Sequence, residues 1–409
     1  MSGAFFTGLA GLVANAKGIE TVGNNLANSN TVGFKMNNIF FQELISASNQ
    51  LQKLGQGVQI ADIRETFSQG GIQSSQVPTD MAIQGSGFFV VGDGITSQFY
   101  TRAGNFLVNN DGTLMTTEGF FVLGYPSVNG VIDRTVDLVP LNISAATSLE
   151  PQATSIMQFE GNLNSDLLVG EVFTTAITVF DSLGDNHQVT FQFTRTAAGW
   201  DYELQIPALD TGGLDTDPPI VVDSGSLTFD GQGRIATPAA DVTGITLSGL
   251  ANGADDLVID WQLFDSDGNG VVTQFKLQSQ VSDSFQNGNS AGILSSIVVR
   301  RDGVIEGLFT NGEASPVGQI ALAKFVNPQG LVKVSGNTYS RTFASGDPTI
   351  GEPETGGRGL IRGNSLESSN VDIAEEFVKL IIFQRAYQAN SRLVTTADEV
   401  VQEAIALKR

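Results

Sequence analysis

Matched apolar rows at the two ends of this chain constrain its fold more than any other feature. Phe5, Leu9, Leu12, Ala16, Ile19, Gly23 and Leu26 follow one another at alternating spacings of four and three residues, the repeat that holds one seam of a helix against a partner helix. The alternation recurs through Ile373, Phe377, Leu380, Gln384, Tyr387, Ser391, Val394, Asp398, Val401 and Ile405, with polar residues at three of the ten places. Helices over 5–26 and 373–405 are expected to pack together as a coiled-coil-like pair. Phe5, Leu9, Leu12, Ile19 and Leu26 on the first, and Phe377, Leu380, Tyr387, Val394 and Val401 on the second, are the candidate packing residues.

A second row on the C-terminal helix, through Val378, Ile382, Ala386, Ala389, Leu393, Ala397, Val400 and Ala404, lies about 100° around the axis from the first. One partner helix does not cover both rows. Burying a large aliphatic side chain is worth roughly 1.5–3 kcal/mol, so the surplus face predicts further chains. An intramolecular hairpin or a simple dimer is the plainer alternative.

Between the ends the pattern changes to short strands and turns. Phe88-Phe89-Val90-Val91, Phe99-Tyr100-Thr101-Arg102 and Phe106-Leu107-Val108 are separated by Gly, Asp and Asn turns, as in an antiparallel β domain. Residues 173–180 and 187–194 flank the turn Asp181-Ser182-Leu183-Gly184-Asp185-Asn186, and Val189, Phe191 and Phe193 alternate with polar neighbours, which marks a hairpin with one buried face. Strands are also expected at 257–261 and 273–277. Residues 37–75 and 345–363, rich in small and polar residues, read as connectors with little to bury. The fold class is therefore α+β, mainly β, with nested, discontinuous domains. Terminal helices (1–30 and 370–409) enclose connectors (31–78 and 345–369), an inner β domain (79–149 and 285–344) and an inserted outer β domain (150–284).

Composition narrows the chemistry. Forty-three acidic against 21 basic residues give a net charge of −22, which argues against nucleic acid or an anionic membrane as a partner. With no cysteine and one histidine, disulfides, thiolate sites, histidine triads and imidazole metal clusters lack their parts. No Sec-type leader is visible, and no apolar run is long enough to span a membrane. Asp265-Ser266-Asp267-Gly268-Asn269-Gly270 has the spacing of a calcium-loop start, but Lys276 stands where the bidentate glutamate belongs, so a turn held by Asp and Asn side chains is expected. His187 shares the parity of Val189, Phe191 and Phe193, which places it on the apolar face of its strand. No catalytic residue, cofactor or metal site is assigned.

Two further motifs flank the helices. Gly23-Asn24-Asn25-Leu26-Ala27-Asn28-Ser29-Asn30-Thr31-Val32-Gly33-Phe34-Lys35 resembles the N-terminal signature of bacterial flagellar rod and hook proteins. Leu366-Glu367-Ser368-Ser369-Asn370-Val371-Asp372, with Gln384-Arg385-Ala386-Tyr387-Gln388-Ala389-Asn390, resembles their C-terminal signature. Asp80 to Phe89 and Tyr100-Thr101-Arg102-Ala103-Gly104 are similar to a block shared across these proteins, while Val179 to Gly184 and Gly318 to Phe325 resemble the hook members more. The motif residues singled out are Asn24, Asn25, Asn28, Gly33, Phe34, Asn370, Val371 and Gln384. The resemblance implies a hook subunit, exported through the flagellar type III apparatus and polymerised as many copies into a helical tube that acts as a universal joint. It also implies rod proteins, hook–filament junction proteins and a hook cap as partners. A distal-rod subunit is the nearest alternative, and a calcium-binding extracellular β protein is the alternative from another class.

Overall fold

The computed structural model describes residues 2–45, 55–94, 97–144 and 148–406. Two long helices, α1 (Ser2–Ala27) and α2 (Ile373–Ala406), bracket strands, turns and short 3-10 segments. Asp372 caps α2, its Oδ1 accepting from the backbone N–H of Ala374 at 2.8 Å and Glu375 at 3.1 Å, and Glu375 and Glu376 complement the positive end of the helix dipole. At the far end of α1, Asn24 O accepts both from the backbone N–H of Asn28 at 3.2 Å and from its Nδ2–H at 2.9 Å.

The chain divides into two units, Met1–Ala146 with Ser296–Gly307 and Ser315–Arg409, and Thr147–Ser295 with Leu308–Ala314. In the first, Phe88–Gly92 is a central strand, antiparallel to Gln98–Thr101, Phe121–Val128 and Leu322–Lys324. Neighbours on both faces explain why Phe88, Phe89, Val90 and Val91 are all buried rather than alternating. Phe88 and Val90 join Tyr100, Leu123, Ala323, Phe325 and Tyr339 on one side, with edge-to-face contacts such as Tyr100–Phe325 at 4.8 Å. Phe89 meets Phe106 edge-on at 5.0 Å.

The first unit also holds an antiparallel hairpin, β1 (Asn37–Ile45) and β2 (Gly55–Glu65), where composition suggests a weakly folded connector. None of its described side chains is buried, and it leans on the helices. A Cβ placed at Gly57 would lie 3.0 Å from Ala10 Cβ, and Phe41 meets Phe383 edge-on at 6.1 Å. The second connector stretch likewise contributes strands, with Thr349–Gly351 pairing Leu322–Lys324 and Leu360–Gly363 pairing Met81–Gln84.

In the second unit, Val172–Phe180, Asn186–Arg195, Trp200–Ile206, Ile220–Phe229 and Ile235–Thr237 form an antiparallel meander. The expected hairpin is present, with Ile177 opposite Val189 and Val179 opposite His187. Its Val189, Phe191 and Phe193 enter a core with Met157, Phe159, Trp200, Leu204 and Trp261 from both sheets of the unit. Antiparallel pairing has an exception here: Ile156–Asn162 runs parallel to Leu257–Gln262 and to Val272–Thr273. Of the strand expected at 273–277 only Thr273 is in one, at the end of Val272–Thr273, because Phe275 and Leu277 turn outward and stay exposed.

Candidate functional site

The helices run antiparallel, and the row of α1 that faces α2 lies one residue away from the row of large side chains. Gly8, Gly11 and Gly18 point at the partner: a Cβ there would lie 3.1 Å from Val394, 2.9 Å from Asn390 and 2.9 Å from Phe383. With Asn15, Val22 and Asn25 they form a heptad row of their own, and small residues let two helix axes approach closely. On α2 the facing row runs through Glu376, Leu380, Phe383, Asn390 and Val394.

The seam expected from side-chain size is thus corrected by about one residue. Phe5, Leu9 and Gly23 are exposed, and Leu12, Ile19 and Leu26 only half-buried. Leu380 and Val394 lie half-buried near the contact, while Phe377, Tyr387, Val401 and Gln384 are exposed. Ala404 and Ile405 have side chains outside the described residues. Phe6, Val13, Phe377, Val378 and Ile382 are each more than half exposed.

Beside the helix pair, the two terminal motifs close on one another. Asn25, fully buried, donates Nδ2–H to Glu376 Oε2 at 2.9 Å and to Asn37 O at 2.8 Å, and its Oδ1 accepts from Asn37 N at 2.9 Å. Glu367, also fully buried, accepts from Lys35 Nζ at 2.7 Å and Gly70 N at 2.9 Å through Oε1, and from Arg102 Nη1 at 3.3 Å through Oε2. Burial lowers the pKa of both Lys35 and Arg102, and the Glu367 carboxylate opposes it. Asn370 Oδ1 accepts from Met36 N at 2.7 Å, and its Nδ2 donates to Thr66 O at 2.8 Å and Ser68 Oγ at 2.9 Å.

Gly33 is required where it stands, because its φ is +68° and a Cβ would lie 2.6 Å from Ala103 N. Its N–H donates to Glu367 O at 2.8 Å. Phe34 is buried beneath Lys333, whose Nζ lies 4.9 Å from the ring centre. Asn28 holds Thr31, whose Oγ1–H it accepts at 3.1 Å. Val371 is half-buried, and Asn24 stays exposed. The ionic centre formed by Lys35, Arg102 and Glu367 escapes sequence reasoning, although all three lie inside the motif blocks.

The remaining candidates are structural. Asp265 Oδ1 accepts from Asp267 N at 2.9 Å and Asn269 N at 2.7 Å, which is the expected side-chain-held turn. His187 is buried with Nε2 3.0 Å from Asp181 Oδ2 and Nδ1 3.1 Å from Asp210 Oδ2, the latter out of line for a hydrogen bond. Burial pulls its pKa down, yet the Asp181 and Asp210 carboxylates outweigh it and hold the imidazole above its ordinary value.

Four family models match along the chain: "Flagella basal body rod protein" at 6–35, "Flagellar hook protein FlgE/F/G D1 domain" at 82–157, "Flagellar basal body protein FlaE D2 domain" at 171–289 and "Flagellar basal body rod FlgEFG protein C-terminal" at 362–407. The flagellar hook protein FlgE of Treponema pallidum is 30% identical over 464 residues, covering 100% of both chains. That of Rhizobium meliloti is 32% identical over 420 residues, covering 100% of this chain and 99% of its own. The chain belongs to the flagellar hook protein family. Escherichia coli FlgE agrees, at 30% identity over 99% of this hook chain and 100% of its own length. The crystal structure of Helicobacter pylori FlgE2 shares the fold, with a TM-score of 0.55 at 18% identity over 72% of this chain and 100% of that one. The hook-family chain is a structural subunit of the flagellar hook, not an enzyme, and neither the distal-rod nor the calcium-binding reading is favoured.

Proposed function

We propose that α1 and α2 are the surfaces through which copies of this hook subunit polymerise. The carrying observation is the placement of glycines at the intramolecular seam, which leaves Phe6, Val13, Phe377, Val378 and Ile382 facing outward. Covering the exposed half of each contributes about 1 kcal/mol, and repetition along a tube multiplies that gain. Phe5, Leu9, Leu12, Ile19, Leu26, Phe377, Tyr387 and Val401 act in this reading as contacts between copies, while Leu380 and Val394 serve the contact between the two helices of one copy. The β units, nested as the domain boundaries above describe, surround the tube and let it bend as a universal joint that transmits torque between rod and filament. Export through the flagellar type III apparatus, a hook cap during growth, and rod and junction proteins at the two ends complete the proposal.

Val13→Lys and Ile382→Lys test it. Both variants should keep a wild-type thermal transition and form no tubes in electron micrographs. Tubes of normal length from both would refute the reading.

A further inference from the structure

The chain contains five Asn-Gly pairs, at Asn129, Asn252, Asn269, Asn287 and Asn311. In such a pair the glycine nitrogen can attack the asparagine side-chain amide, since no Cβ shields it. The rate depends on how freely that side chain moves, and the structure separates the five.

Asn252 Nδ2 donates to Asp181 Oδ2 at 2.6 Å and Asp185 Oδ2 at 2.9 Å, while its Oδ1 accepts from Ala254 N at 3.0 Å. Asn287 Oδ1 accepts from Ser155 N at 2.9 Å and Ile156 N at 3.0 Å, and its Nδ2 donates to Ser155 Oγ at 2.8 Å. Asn311 donates to Ser290 O at 2.7 Å and accepts from Glu313 N at 3.1 Å. Asn269 has longer bonds, to Asp265 Oδ2 at 3.2 Å and Oδ1 at 3.4 Å.

Asn129 has no such restraint. It is exposed, its side chain makes no hydrogen bond among the described residues, and it sits with φ +51° ahead of Gly130 at φ +74°. The hairpin it closes carries two register pairs, Val128–Val131 and Ser127–Ile132, and Val128 and Val131 are exposed. So short a ladder opens readily. A Cβ at Gly130 would meet only Ser315 Oγ at 3.4 Å.

We propose that Asn129 is the principal site of spontaneous deamidation in this protein. Gly130 N loses its proton to solvent base and attacks Asn129 Cγ. The N–Cγ bond forms, the Cγ–Nδ2 bond breaks, and Nδ2 leaves as ammonia carrying a proton. Water then opens the cyclic imide at either carbonyl, leaving aspartate or isoaspartate. Each event adds one negative charge to the hairpin, and isoaspartate also adds a methylene to the backbone of the turn. Asn129 thereby records how long a copy has existed as folded protein.

Peptide mapping of the full chain after incubation in mildly alkaline buffer tests this. The exchange of amide for carboxyl should appear at Asn129 at least about tenfold faster than at Asn252, Asn287 or Asn311, each of which must first break two or more hydrogen bonds. In urea the five rates should converge, and Asn129→Gln should remove the fast site without moving the thermal transition. Equal rates in the folded protein, or the same ranking in urea as in buffer, would overturn the proposal.

Discussion

Replacing Glu367 by glutamine isolates the ionic centre that joins the two terminal motifs. The amide oxygen keeps an acceptor for Lys35 Nζ and Gly70 N, which lie 2.7 and 2.9 Å from Oε1. Its NH2 group then faces Arg102 Nη1, 3.3 Å from the present Oε2, a donor against a donor, and two buried cations lose their counter-charge. Removing one partner of a buried pair costs about 3–5 kcal/mol, which for a unit of this size lowers the thermal midpoint by roughly 10 °C. The assay is favourable because both tryptophans, Trp200 and Trp261, belong to the second unit, whereas Tyr100 and Tyr339 are in the core of the first. Tyrosine absorbance should show the lowered transition, while tryptophan fluorescence follows the second unit at its wild-type midpoint. Combining Glu367→Gln with Lys35→Met should cost less than the sum of the single changes, because each removes the same interaction. A Glu367→Gln midpoint within about 2 °C of wild type, or strict additivity in the double variant, would refute the argument.

Four further outcomes are expected. Gly33→Ala combines a left-handed φ with a clash against the Ala103 backbone, and should destabilise the first unit by at least about 2 kcal/mol in urea titrations. The second unit should lose stability as pH rises through the raised His187 value: a group whose pKa rises on folding contributes fully below its unfolded value of about 6.5 and loses that contribution above its folded one. His187→Gln should abolish this alkaline limb of the tryptophan-detected midpoint. At the acid end the sign reverses. Burial of Asp181 favours its neutral form, but hydrogen bonds from His187, Asn252 and the backbone prevail and lower its pKa, so its contribution is lost as pH falls through that depressed value. Calcium should leave the midpoint of the second unit unchanged, since backbone N–H groups already engage Asp265 Oδ1; an increase would restore the cation reading of that turn.

Helices at both ends were legible because a four-three repeat depends only on spacing. Which row meets the partner was not, because hydrophobic size points to Leu9 and Ile19 whereas close approach of two helices selects Gly8, Gly11 and Gly18. Val189, Phe191, Phe193 and His187 could be placed by parity alone, since a strand with one buried face has no other register. The β1–β2 hairpin is not legible in the sequence because its packing surface belongs to α1 and α2, so local composition shows nothing to bury. Asn25 and Asn370 stood out as motif residues, but their functions are relational: Asn25 matters through Glu376, and Lys35 through Glu367. No spacing rule connects residues 332 positions apart.

That last separation has a mechanical meaning. The Lys35–Glu367 contact closes a loop containing every β strand among the described residues. Tension drawn between the two helices therefore follows a load path through the closure and bypasses the strands. At about 3.4 Å per residue, the contour length hidden behind the contact is roughly 1,100 Å, and it stays out of reach of a stretching force until the closure fails.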